Sequence, residues 1–169
     1  MNMSLNLMPV NELFSTANFR QKTISSLNRL IEINNDRCRE YRKALDETPD
    51  AALKPVFQKY IKQSNAFKNT LTIWIKAYGG EVSHELQNTR TLYRMWVDFK
   101  SLFPASDREA ILNSCEYTES AAIDRYKKIM ASEYLPAEAI EEIRLQKDEL
   151  SKAYEEIVSL SAVDALYKY

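Results

Sequence analysis

Cys115-Glu116-Tyr117-Thr118-Glu119-Ser120-Ala121-Ala122-Ile123-Asp124-Arg125-Tyr126 decides how this chain is read. At about 100° per residue, Cys115, Thr118, Ala122, Ile123 and Tyr126 share one helical face, which Ile111, Leu112, Ile129 and Met130 extend. Ser106 and Glu109 form a capping box ahead of it, so the pattern predicts a helix from Ser106 to about Ser132. Glu119 falls near the middle of the apolar arc and Glu116 at its edge. A carboxylate centred on a buried stripe needs a metal, a hydrogen-bonding or cationic partner, or a proton, because an isolated buried charge is very costly.

Three more long helices surround this one. Thr23 to Asp46 carries Ile24, Leu27, Leu30, Ile31, Cys38, Tyr41 and Leu45 in one stripe, with Thr23 as expected N-cap and Asn34 near the stripe's centre. Ala51 to Tyr78 carries Leu53, Val56, Phe57, Tyr60, Phe67, Leu71, Trp74 and Ile75, with Ser64 inside the stripe and Gln63 at its rim. Gly79-Gly80 ends it. Leu135-Pro136 opens the last helix, to about Leu160 or slightly beyond, with Ile140, Ile143, Leu150, Ala153, Tyr154 and Ile157 inward. Lys147 lies near the same face and Gln146 at its edge. Between the two hairpins, Glu81 to Ala105 is too long for a tight turn and carries its own helix, about Gln87 to Phe103. The expected fold class is all-α: two antiparallel helix hairpins joined by a long helical crossover, a four-helix bundle of ferritin-like topology. Residues 1–22 read as an N-terminal extension and 23–166 as one domain.

Composition narrows the function classes. The chain has 169 residues, enough for a single domain with one sizeable core, and only two glycines and five prolines, which suits long helices. The net charge of −1 implies no general attraction to nucleic acid or to an anionic membrane. The lysines of the second helix, Lys54, Lys59, Lys62, Lys68 and Lys76, read as a solvated face. No apolar run approaches the roughly 20 residues of a membrane span, and Met1 to Val10 lacks the features of a signal peptide. Cys38 and Cys115 fall on core stripes and suit a reducing compartment. The expected location is cytoplasmic.

Counting from each hairpin loop places Asn34, Ser64 and Glu119 in one layer, with Gln63, Lys147 and Tyr154 within side-chain reach. This buried polar layer is poor in metal ligands. A di-iron bundle draws one Glu from each of two helices and a Glu-x-x-His pair from each of the other two. No Glu-x-x-His occurs here, and the only histidine, His84, falls in the crossover. The layer therefore reads as hydrogen-bonded, Glu119 meeting Asn34, Tyr154, Lys147 or water; if a metal binds, Glu116 and Glu119 are its ligands. If Glu119 is buried and paired in this way, Glu119→Leu is expected to be tolerated or stabilising, because replacing a whole polar group with apolar volume can be neutral. There is no Gly-rich phosphate loop and no Ser–His–acid set, and neither cysteine has a histidine placed to activate it.

Several segments together resemble a bacterial family of ferritin-like four-helix-bundle proteins of unknown function. They are Leu27-Asn28-Arg29-Leu30-Ile31-Glu32 with Asp36, Tyr41 and Ala44; Gly79-Gly80; Tyr93-Arg94-Met95-Trp96-Val97-Asp98-Phe99-Lys100; Ile111-Leu112 with Cys115 to Glu119, Ala122 and Tyr126; and Leu135-Pro136 with Gln146. The resemblance spans about Thr23 to Leu160 and implies a ferritin-like bundle without an assigned activity. It also implies departures. The family tends to have histidine where this chain has Tyr93 and Tyr154, glutamate near Gln63, and glycine where Arg37, Glu40 and Thr118 stand. Only Glu116 and Glu119 match as acidic positions.

The expected function is a non-catalytic bundle with a degenerate metal site and no cofactor, acting as an association or stress-related module. It is expected to form a homo-oligomer, for instance a homodimer, with no nucleic-acid or membrane partner. Off-stripe Ile33, Ile61 and Ile73 motivate the oligomer. The alternative is an iron or manganese oxidase or storage protein using Glu116 and Glu119. A third reading is a small-ligand or lipid binder with a cavity near the polar layer.

Overall fold

The computed structural model describes residues 10–83, 108–132 and 134–166. Four helices make up these residues: α1 Val10–Glu47, α2 Lys54–Ala77, α3 Arg108–Met130 and α4 Ala137–Leu166, with no strand among them. None of these helices is long and apolar enough to cross a membrane. The expected crossover helix and His84 lie outside the described residues.

α1 begins earlier than its periodicity suggests. It runs from Val10 through Thr23 without a break, so no boundary in secondary structure falls at residue 22. Residues 15–21 are exposed, and burial begins at Thr23. Thr23 is not an N-cap. Its hydroxyl bonds the Phe19 carbonyl one turn back, at 3.0 Å, and the Tyr134 carbonyl beyond α3, at 2.5 Å. Serine and threonine make the same bond to the backbone inside a helix as at its start, so sequence alone does not separate the two roles.

The α1–α2 turn is built on side-chain acceptors. Thr48 Oγ1 accepts the Asp50 amide, and Asp50 Oδ1 accepts the Ala52 amide at 2.8 Å. Pro55 then sits in the first turn of α2, where its missing N–H costs nothing. At the other end the Gly80 amide bonds the Ile75 carbonyl and the Gly79 amide bonds that of Lys76. Together with Gly79 at φ +74° this is a Schellman motif. The two glycines are needed for different reasons. Gly79 supplies the left-handed turn, whereas a Cβ on Gly80 would lie 2.8 Å from three side-chain carbons of Ile24. Gly79→Ala should cost about 1–2 kcal/mol in urea unfolding, and Gly80→Ala about 1–3 kcal/mol through overpacking. Ile24→Ala should lessen the second cost and leave the first unchanged.

Contacts fix the directions of the helices. Along α1, Asn34, Arg37 and Glu40 meet Tyr126, Glu119 and Ser114 of α3, in reverse order. Asn35 and Cys38 likewise meet Lys68 and Asn65 of α2. Tyr126 and Glu116 of α3 meet Gln146 and Tyr154 of α4. Each neighbouring pair is thus antiparallel, α2 and α4 approach each other least, and α1–α4 and α2–α3 form the diagonals. α2 ends beside Ile24, while α3 begins beside the α1–α2 turn, where Arg108 Nε bonds Asp50 Oδ2 at 2.8 Å. The chain between residues 81 and 107 therefore joins opposite ends of the bundle, about 36 Å for the 24 residues of α2.

The core is divided. Leu27, Leu30, Leu71, Ile75, Ile123 and Ile143 lead one apolar cluster. Tyr41, Phe57, Leu112, Cys115, Ala153 and Ile157 lead the other. Ile33 belongs to the first cluster and is 3% exposed, so it is not spare surface, whereas Ile73 is 68% exposed. Polar side chains fill the space between the clusters.

Candidate functional site: a buried ion pair between two apolar clusters

On α1 the buried positions Leu30, Asn34, Arg37, Tyr41 and Ala44 follow one another at spacings of four, three, four and three. That spacing holds one face toward the bundle axis. Cys115, Glu119, Ala122 and Tyr126 do the same on α3. The two rows bring a cation to the carboxylate. Arg37 is 1% exposed and Glu119 is fully buried. Arg37 Nη2 donates to Glu119 Oε1 at 2.6 Å, and Nε lies 3.1 Å from both carboxylate oxygens.

The remaining polar atoms are partnered from α1 and α2. Tyr41 donates its hydroxyl to Glu119 Oε1 at 2.6 Å. Arg37 Nη1 donates to Ser64 Oγ at 2.8 Å and Nη2 to Gln63 Oε1 at 3.0 Å. Ser64 in turn donates to the Tyr60 carbonyl. A guanidinium meets a carboxylate with fixed fork geometry, and here each of its three nitrogens has at least one acceptor, which favours tolerance of a buried pair.

Electrostatics reinforce the arrangement. Burial is the largest single influence on Arg37 and lowers its pKa, but the charge and hydrogen bonds of Glu119, with Tyr41 and Tyr126, together outweigh it and move the guanidinium above its ordinary value. Burial, then the Glu119 charge, push the Tyr41 phenol well up. Burial, then Glu40 and Glu119, do the same to the Cys115 thiol, leaving it far from the thiolate that nucleophilic chemistry requires.

A second hydrogen-bonded chain lies toward the first cluster. Asn34 Nδ2 donates to the Leu30 carbonyl at 2.9 Å and to the Tyr126 hydroxyl at 2.6 Å. Tyr126 donates to Gln146 Oε1 at 2.9 Å, and Gln146 Nε2 to Glu142 Oε1 at 3.0 Å. Asn34 Oδ1 is buried without a hydrogen-bond partner.

Of the residues expected in the layer, Gln63, Ser64 and Glu119 meet through Arg37. Asn34 joins Tyr126 instead. Lys147, with a side chain 24% exposed, pairs with its neighbour Asp148 at 2.6 Å. Gln146 takes the inward position and is 2% exposed. Half-buried Tyr154 reaches Glu116 Oε1 at 3.4 Å, a long hydrogen bond. The partners of Glu119 are therefore Arg37 and Tyr41, not the Asn34, Tyr154 or Lys147 expected from level counting. Arg37 had a signal, since it stands three residues after Asn34 and four before Tyr41, squarely on the stripe.

The donor set does not fit a di-iron or manganese centre. Among the described residues no three or more His, Cys, Asp or Glu side chains cluster as a metal site. The one fully buried carboxylate among the described residues, Glu119, already has a guanidinium and a phenol on it.

The fold and site thus define an all-helical bundle with a charged, closed layer between two apolar clusters. Residues 22–132 match the family described as a domain of unknown function (DUF2383), and the chain belongs to that family. No curated protein and no solved structure matches it.

Proposed function

We propose that the chain is a ferritin-like bundle with a degenerate metal site, in which a built-in cation stands where a metal would. It acts without catalysis, as a cytoplasmic association module that forms a homo-oligomer. Residues 23–166 form the bundle domain, and 1–22 extend beyond it. The single observation carrying this reading is the full burial of the Arg37–Glu119 pair between the two apolar clusters. The long connection between opposite ends of the bundle supports the ferritin-like topology. With the centre closed by side chains, the surface is what remains to act.

The competing reading is an iron or manganese oxidase or storage protein using Glu116 and Glu119. It has one favourable feature: both carboxylates lie on α3, one turn apart, with Tyr154 near Glu116. It requires Arg37 to leave a site where each of its three nitrogens is hydrogen-bonded. Elemental analysis of protein refolded with ferrous iron or manganese should give no metal above background. Stoichiometric metal that is lost in Glu119→Ala would establish the competing reading. Light scattering across protein concentration should give an oligomeric mass; a monomer at every concentration refutes the association role.

A further inference from the structure

The bundle side formed by α2 and α4 carries opposite charge in two adjacent strips. α2 has five lysines and no acidic residue, whereas α4 has eight acidic residues against three basic ones. The two helices run antiparallel, and of the neighbouring pairs they approach each other least. Lys59 Nζ bonds Glu156 Oε2 at 2.7 Å, which fixes their relative level.

Two apolar side chains stand in water on this side. At about 100° per residue, Lys62 and Ile73 fall on the Lys59 face of α2, Leu145 falls on the Glu156 face of α4, and Glu155 lies at its rim. Counting equal rises from the Lys59–Glu156 bridge puts Ile73 level with Glu142, within one turn of Leu145. Ile73 is 68% exposed and Leu145 49%. The same count puts Lys62 level with Ala153, two residues from Glu155. Lys62 and Glu155 are both exposed, and neither has an ion pair among the described residues.

We infer that this side is the self-association surface, and that its partner is a second copy turned about a two-fold axis parallel to the bundle. Such an axis lies in the plane of contact. It keeps every residue at its own level and sets α2 of each copy on α4 of the other. The lysine strip thus meets the acidic strip twice. A two-fold axis running across the helices would instead lay α2 on α2 and α4 on α4, which like charge opposes. In the parallel arrangement Ile73 of each copy packs on Leu145 of the other as the apolar anchor, and Lys62 gains Glu155 at the rim. The inference rests on the association role proposed above and names its surface.

Light scattering of the full chain across protein concentration should give a mass of two chains. Ile73→Glu should weaken the dimer about a hundredfold while the helical circular dichroism stays unchanged, since the side chain is outside the core. Lys62→Glu and Glu155→Lys should each weaken it about tenfold, because each sets like charges together twice. An equimolar mixture of those two variants should recover the wild-type affinity, since both contacts in the mixed dimer then join unlike charges. A wild-type dimer that Ile73→Glu leaves intact would overturn this surface and leave the association role standing. A mixture no tighter than its separate components would overturn the α2-on-α4 arrangement, and particles larger than two chains would overturn the closed two-fold. A wild-type monomer at every concentration would refute the association role and this surface with it.

Discussion

Arg37→Met should lower the unfolding free energy by about 3–5 kcal/mol, because it strands a carboxylate inside the bundle. Glu119→Leu should cost about as much by stranding the guanidinium. This reverses the tolerance expected of Glu119→Leu when the polar group is simply exchanged for apolar volume. A neutral partner left behind wastes a hydrogen bond, but a buried cation left behind keeps its full desolvation penalty. The double variant Arg37→Met/Glu119→Leu should regain most of the loss, since apolar side chains of similar volume would join the two clusters into one core. Urea unfolding of the four proteins gives the coupling. At about 2–4 °C per kcal/mol for a chain of this size, each single variant should melt roughly 10 °C early. Additive losses in the double variant would mean that the two side chains do not act as a pair. Tyr41 and Ser64 would remain buried in that variant, so recovery should fall short of complete by the hydrogen bonds they lose.

How the layer was and was not legible follows from the same physics. Glu119 could be found because α3 carries its apolar arc on both sides of it, and a charge amid apolar neighbours is visible within one helix. Arg37 has the same stripe position on α1, yet a long cationic side chain on an amphipathic helix is solvated by default. What holds it inside is Glu119 of α3 with Gln63 and Ser64 of α2, none of which α1 records. Asn34 was matched to the level of Glu119 by counting from hairpin loops. Such counting sets α1 against α2 and α3 against α4. The α1–α3 register depends on the connection between the hairpins, and in the fold Asn34 meets Tyr126, two turns from Glu119. A small rotation separates Gln146 from Lys147 on α4, and periodicity does not resolve neighbours at the edge of a stripe. The four helices themselves were legible because their stripes are long and the glycines and prolines fall outside them or, as with Pro55, in a first turn.

Alkaline pH should unfold the chain cooperatively. Tyr41 and Tyr126 are fully buried and Tyr60 nearly so. Burial is the largest influence on each phenol and raises its pKa above the ordinary 10.0. Glu119 adds to the shift at Tyr41, and the bond that Tyr60 donates to Glu156 adds to its own. A phenol with a raised folded pKa keeps its proton in the folded chain after the unfolded chain has lost it. Its contribution is therefore intact below about pH 10 and is lost as the pH rises toward the folded value. Each such group favours unfolding by about 1.4 kcal/mol per pH unit in that window, so three together contribute roughly 4 kcal/mol per unit. Cys115, with a raised pKa from an ordinary 9.0, starts the loss earlier. Against a typical total of about 5–15 kcal/mol, unfolding should be complete within one to three units above pH 10. Tyrosinate absorbance and helical circular dichroism, followed together, should show part of the ten tyrosines titrating freely and the rest only as the helices melt. Tyr126→Phe keeps the ring and removes one of the titrating groups, so its stability should fall less steeply above pH 10. A smooth titration of all ten tyrosines with the helices intact would mean that these phenols reach water in the folded protein, and would contradict their burial in the core.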